Sequence, residues 1–192
     1  MKNVKDIPVI IEPRDVVVGN PHAPVTIMEF GDYESEACVQ ANEVVKEILE
    51  HYGDQVNFTF RHFPLTKIHQ RAHKAAEAAV AAAQEGRFWE MHQALFANRR
   101  NLGIISLKSY AREAGVTSKR FLEDLMNGTY GWQVQGDLQE GLKLGVRDVP
   151  AFFINKKPFE GTWSTRNVKT YINALLQELE QMPTVGARKK RA

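Results

Sequence analysis

Val25-Thr26-Ile27-Met28-Glu29-Phe30-Gly31-Asp32-Tyr33-Glu34-Ser35-Glu36-Ala37-Cys38 decides how this chain folds. Val25 to Phe30 is a short apolar, β-branched run of the kind that suits a strand buried on both faces, and Gly31-Asp32 breaks it. Glu29 is the exception within the run, because an unpaired charge in a core is costly and such residues usually have a partner or a task. From Ala37 the period changes. Ala41, Val44, Val45, Ile48 and Leu49 fall on one face of a helix that ends near Gly53. Ser35 is placed to cap that helix, its hydroxyl accepting from an amide two or three residues on. The expected geometry sets Ser35 at the helix start, Cys38 one turn in and Glu29 below both.

Outward from that stretch the chain reads as alternating layers. Pro8 to Glu12 suggests an edge strand, and Val16-Val17-Val18 leads to a turn-rich Gly19 to Pro24. In Gln55 to Arg61, Val56, Phe58 and Phe60 alternate with polar residues, as in a strand beside the first; strand, helix and parallel strand make a crossover unit. From His69 to Gly145 only helical signals occur. They comprise an alanine-dense helix from His69 to Gln84, an aromatic one around Phe88 to Phe96, helices capped by Ser106 and Ser118, and a longer one over Trp132 to Leu144. Val149-Pro150-Ala151-Phe152-Phe153-Ile154-Asn155 then opens a strand with a proline, which has no N–H to give to a ladder. Lys156-Lys157 is the expected turn and Pro158 to Glu160 the return strand. Ser164 caps a last helix carrying Val168, Tyr171, Ile172, Leu175, Leu176 and Leu179 on one face.

This arrangement resembles the DsbA-like protein-disulfide oxidoreductases of the thioredoxin superfamily, in which a strand feeds a Cys-x-x-Cys motif at a helix start. Gly19-x-Pro21-x-Ala23-Pro24-Val25, Phe63-Pro64-Leu65 with His69, Phe88-Trp89-Glu90-Met91-His92 and Val149-Pro150-x-Phe152-Phe153-Ile154-Asn155 extend the likeness over about residues 14 to 180. It implies an α/β, thioredoxin-like fold with a DsbA-type all-helical insertion. The core is expected at about 14–65 and 146–181 and the insertion at about 66–145, within one domain. The tetrapeptide departs from the family: Ser35-Glu36-Ala37-Cys38 places serine where the resemblance implies the attacking cysteine. By the same resemblance Cys38 is the second cysteine, Glu29 the buried proton shuttle and Pro150 a cis-proline facing the site. Val149, Pro150, Glu36 and Ala37 are then the residues that meet a substrate.

Composition narrows the partners. The formal charge of +2 includes the four cations of Arg188-Lys189-Lys190-Arg191; without them 21 basic residues face 23 acidic ones, which leaves no broad footprint for nucleic acid. Residues 183–192 are expected to be a solvated, disordered basic tail, with Pro183 and Gly186 marking where order stops. One cysteine excludes an internal disulfide and fits a reducing compartment. The first residues lack an apolar signal core and no apolar run approaches spanning length, so a soluble, cytoplasmic protein without a membrane partner is expected. No cofactor or metal is implied. His62, His69, His73 and His92 are read as surface or capping histidines, because no carboxylate or cysteine nearby in sequence completes a ligand set. Trp89 reads as core.

Thiol-disulfide exchange needs a thiolate to attack and a second thiol to resolve. A helix N-terminus contributes up to about 2 kcal/mol to an anion, roughly one and a half pH units, far too little to ionise an alcohol at neutral pH. Ser35 therefore does not replace a thiolate. Cys38, one turn inside the helix and surrounded in sequence by Glu29, Asp32, Glu34, Glu36 and Glu43, is expected to be quiet. Bland readings stand beside these roles: Ser35 as an ordinary cap, Glu29 as a hydrogen-bonded acid, Pro150 as a trans strand opener.

Three functions follow from the resemblance and the departure. The first is a thiol-disulfide oxidoreductase acting on protein or peptide thiols and disulfides, with a degenerate site lacking dithiol turnover as written. A natural alteration and a deliberate Cys-to-Ser exchange give the same pattern, and the encoding gene separates them. The second is a non-catalytic module that holds an extended peptide against Val149-Pro150. The third is a glutathione-binding protein similar to the kappa-type transferases, with Ser35 donating to the glutathione thiolate.

Overall fold

The computed structural model of the chain describes residues 11–181. Its sheet has five strands, β1 (Val18–Gly19), β2 (Val25–Gly31), β3 (Val56–His62), β4 (Ala151–Ile154) and β5 (Lys157–Pro158), in the order β1-β3-β2-β4-β5. β2 and β3 run parallel, connected through helix α1 (Glu36–Tyr52); the other neighbours pair antiparallel. Glu29 lies opposite Phe60 on one side and Phe152 on the other, while Phe30 lies between Arg61 and Ala151. Directly paired residues share a face of the pleat, so Ile27, Glu29, Phe58, Phe60, His62 and Phe152 all point to one side of the sheet.

The insertion supplies α2 (Ala72–Ala83), α3 (Phe88–Ala97), α4 (Ile104–Glu113), α5 (Phe121–Met126) and α6 (Gly131–Lys143); α7 (Thr165–Gln181) closes the described chain. Alanine lets α2 be surrounded. Nearly all of its residues are buried, against α3, α4, α5 and α6. Gly141 serves the same end in α6, since a Cβ there would lie 2.7 Å from the Phe63 ring and 3.0 Å from that of Phe30.

Several local expectations are corrected. β3 is buried on both faces rather than alternating, because α6 covers the side that carries Arg61. Arg61 Nε donates to Asp137 at 2.6 Å and Nη2 to Glu140 at 2.6 Å, which satisfies the charge that alternation assigned to solvent. Ser106 caps nothing: α4 starts two residues earlier, after Gly103, and the Ser106 hydroxyl donates to Asn101. Ser118 accepts from the Arg120 amide in the turn ahead of α5 instead of at its N-cap. The hairpin turn falls on Asn155-Lys156, both at positive φ, one residue earlier than Lys156-Lys157. Asn155 favours that conformation and ties it to β2, its side chain accepting from Thr26 N at 2.8 Å and donating to Pro24 O.

Ser164 does cap α7, accepting from Asn167 N at 3.4 Å, but Leu179 is 41% exposed in the helix's last turn. Of the suggested strand at Pro8 to Glu12, residues Pro8, Val9 and Ile10 lie outside the described residues. Ile11 is held by the Gln84 side chain at the end of α2, through both its N–H and its carbonyl, and joins no sheet. The tail at 183–192, with the stop expected at Pro183 and Gly186, also lies outside the described residues.

Candidate active site

β2 ends at Gly31, where a Cβ would sit 2.5 Å from the Phe60 ring and 2.9 Å from Glu29 Oε1, so the strand leaves the sheet at the one residue type that fits. Asp32 then organises the turn. Its buried carboxylate accepts from Glu34 N at 2.7 Å and Leu65 N at 2.8 Å, and lies 2.9 Å from His69 Nδ1; its carbonyl accepts from Ser35 N. This Asx turn delivers the chain to Ser35, which is extended at φ −73°, ψ 124° and accepts from Cys38 N at 3.3 Å. Ser35 is 7% exposed and Cys38 fully buried, while Glu36 and Ala37 face solvent at the helix mouth.

Electrostatics keep the Cys38 thiol protonated. Burial pushes it well up, a Glu29 carboxylate would push further, and the Ser35 hydrogen bond opposes them weakly. Glu29 itself is fully buried, and neither carboxylate oxygen has a hydrogen-bond partner. Burial therefore raises its pKa well above the ordinary range and favours the protonated form. Burial is the largest cause of the Cys38 shift, ahead of the Glu29 charge.

The Val149–Pro150 peptide is cis. Pro150 immediately precedes β4, whose Ala151 pairs with Phe30, so it lies beside the end of β2 from which Ser35 and Cys38 emerge. Val149, expected to meet a substrate, is buried, and its N–H donates to Asp148 Oδ1 at 2.9 Å. Beside Pro150 a cavity of about 320 Å³ opens between Phe153, Pro158, Phe159 and Trp163; Ser35, Cys38 and Glu36 do not line it.

Three contributors were not read from sequence as parts of the site. Asp32 is read there only as a strand breaker and a nearby charge, though an Asp whose carboxylate can accept from the amide two residues on is a turn signal. His69 pairs with it across 37 residues. Arg99, in the loop between α3 and α4, donates to Glu36 Oε2 at 2.7 Å and reaches the Glu34 carbonyl at 3.4 Å, bringing a cation to a helix mouth whose local sequence has none. Nothing local in sequence signals that contact.

The histidines also differ from expectation. His62 and His92 are buried, not superficial, and burial lowers each to about 3, so both are neutral. His92 bridges Tyr33 and Asn42, whereas neither ring nitrogen of His62 has a partner. Carboxylates do lie beside the other two, Asp32 by His69 and Glu77 by His73, but among the described residues no group of three or more such side chains is arranged to hold a metal ion.

A strand–turn–helix that caps on Ser35, a cis-proline at the neighbouring strand start and an all-helical insertion define a thioredoxin-fold protein of DsbA-like build. The chain belongs to the thioredoxin family, whose model, described as Thioredoxin, matches residues 12–174. It superposes on oxidised BdbD from Bacillus subtilis with a TM-score of 0.76 at 25% identity, covering 86% of this chain and 93% of that one. For alpha-DsbA1 from Wolbachia pipientis the values are 0.72, 22%, 91% and 95%. A curated relative, Na(+)/H(+) antiporter NhaA 1 of Mycolicibacterium gilvum, is 35% identical over 157 residues, which are 81% of this chain and 25% of the antiporter. The chain thus spans about a quarter of the length of the curated relatives it matches.

Proposed function

We propose that this chain is a DsbA-type member of the thioredoxin family acting on protein thiols and disulfides, in which Ser35 stands at the attacking-thiol position and dithiol turnover is lost. The observation that carries this reading is the pairing of a serine N-cap with a buried, protonated Cys38 one turn behind it. Exchange begins when a thiolate forms a bond to one sulfur of a disulfide and expels the other as thiolate. The Ser35 oxygen stays protonated and forms no such bond, and Cys38 is covered. What survives is the scaffold of the reaction: a helix mouth with Glu36 and Ala37 exposed, and Pro150 beside it.

Ser35→Cys places two thiols three residues apart at a helix start, where the helix N-terminus and the Cys38 amide that now meets the Ser35 hydroxyl favour a thiolate. Insulin reduction with dithiothreitol as electron donor tests the reading. This chain should leave insulin at the uncatalysed rate, and Ser35→Cys should accelerate it while forming an internal disulfide that mass spectrometry detects. Turnover by the Ser35 chain itself, or a Ser35→Cys variant that forms the disulfide and still fails to turn over, would overturn it. We also infer that the matched quarter of the antiporter relatives is their thioredoxin-fold part, since a match over 81% of this chain must largely overlap the family match at residues 12–174. We carry no antiport to this chain; among the described residues no helix is long and apolar enough to cross a membrane.

A further inference from the structure

The near-balance of charge over the whole chain hides a segregated face. Between residues 99 and 126 stand six Lys and Arg against three acidic residues, Glu113, Glu123 and Asp124. Two of the six are neutralised, Arg99 by Glu36 and Arg120 by Glu123 and Asp124. Arg100, Lys108, Arg112 and Lys119 are exposed and make no ion pair among the described residues. Lys108 and Arg112 lie one turn apart on α4, and Lys119 faces them across a cavity of about 330 Å³ floored by Ala111, Val116 and Phe121.

Large apolar side chains are exposed on the same two helices, α4 and α5. Ile105, one turn before Lys108 on the same α4 face, is 78% exposed; Met126, one turn beyond Leu122 on α5, is 66% exposed. A single exposed isoleucine means little. Ile105 beside Lys108 and Arg112 on α4, with Met126 at the end of the adjoining α5, forms a surface that an anionic bilayer complements, with headgroups for the charges and the acyl boundary for the apolar tips.

We propose that the α4–α5 face docks this protein on anionic lipid, with Ile105 and Met126 entering the interface and Lys108, Arg112 and Lys119 meeting the headgroups. The segment Asn98–Asn101 that leads into α4 also carries Arg99 to Glu36, so docking would hold the Ser35 helix mouth close to the membrane surface. Such peripheral binding is compatible with the lack of a spanning helix among the described residues. The expectation of no membrane partner rests on the missing signal core and on apolar run length, neither of which sees a face assembled from two helices.

Vesicle sedimentation tests this with the full chain carrying Arg188→Gln, Lys189→Gln, Lys190→Gln and Arg191→Gln, so that tail charge does not contribute. Vesicles of phosphatidylcholine alone are compared with equal parts phosphatidylcholine and phosphatidylglycerol. The protein should partition onto the mixed vesicles only. Lys108→Gln/Arg112→Gln/Lys119→Gln should lower that partitioning by about a hundredfold, at roughly 1 kcal/mol per cation. Ile105→Ser should lower it by about tenfold. All these side chains are exposed, so circular dichroism and the urea midpoint should not move. Indifference to phosphatidylglycerol, or unchanged partitioning in either variant, would overturn the proposal. Retention on an immobilised acidic polypeptide without vesicle binding would assign the face to a protein instead.

Discussion

At the residue scale the site is governed by two groups whose burial favours the protonated form. Glu29 has a folded pKa raised above its unfolded value, so the unfolded chain binds fewer protons once pH exceeds the ordinary carboxylate range. Its contribution to stability is therefore present at low pH and is lost as pH rises towards the folded pKa. Glu29→Gln keeps the shape and removes the titration. Its urea midpoint should exceed the parent's by a margin that grows with pH above about 5; parallel pH profiles for the two proteins would contradict the assignment. Cys38 offers a second check. A buried, protonated thiol reacts only when the structure opens, so maleimide labelling should be slow in buffer and accelerate with sub-denaturing urea. Rapid labelling in buffer would show the thiol to be accessible.

Among elements, the contact between α6 and the sheet bears the most charge. Asp137 takes the Arg61 Nε–H on one oxygen and the His62 backbone N–H on the other, and burial, outweighing the Arg61 attraction, raises it to about 6. Removing only the acid strands a buried guanidinium. Asp137→Ala should cost about 3–5 kcal/mol in denaturant unfolding, and Arg61→Met/Asp137→Leu should recover most of that loss. A loss for Asp137→Ala below about 1 kcal/mol would mean that Arg61 finds water or Glu140 sufficient. Gly141→Ala tests the same packing sterically, because the added methyl meets two phenylalanine rings; a cost of about 1–3 kcal/mol is expected from the same measurement. Periodicity and caps made α1, α6 and the β2–β3 unit legible from sequence, since each depends on residues a few positions apart. The pairs that dock them were not. Arg61 and Asp137 are 76 residues apart, and Arg99 and Glu36 are 63 apart, beyond the reach of any local pattern.

Over the whole molecule, buried titratable groups pull the pH profile in opposite directions, and their windows separate them. His62 and His92 read from sequence as surface or capping histidines because nothing nearby completes a ligand set; the insertion buries both, and only the fold shows it. Each folded pKa is depressed to about 3, so each histidine's contribution is present above the unfolded value near 6.5 and is lost as pH falls. The full window is worth on the order of 4–5 kcal/mol per histidine. Asp137 and Glu29 act in reverse, adding stability as pH falls, but that gain is complete once pH reaches the ordinary carboxylate range near 4. Below about pH 4 nothing in this set offsets the histidines, and acid unfolding should begin there. His62 is the informative one to change, because its ring nitrogens have no partners and it packs against Tyr33, Phe60 and Phe88. His62→Phe should retain those ring contacts, remove one of the two titrations and move the acid midpoint, followed by near-ultraviolet circular dichroism, to lower pH. An unchanged midpoint would place the acid trigger elsewhere, with His92 and its bonds to Tyr33 and Asn42 as the next group to replace.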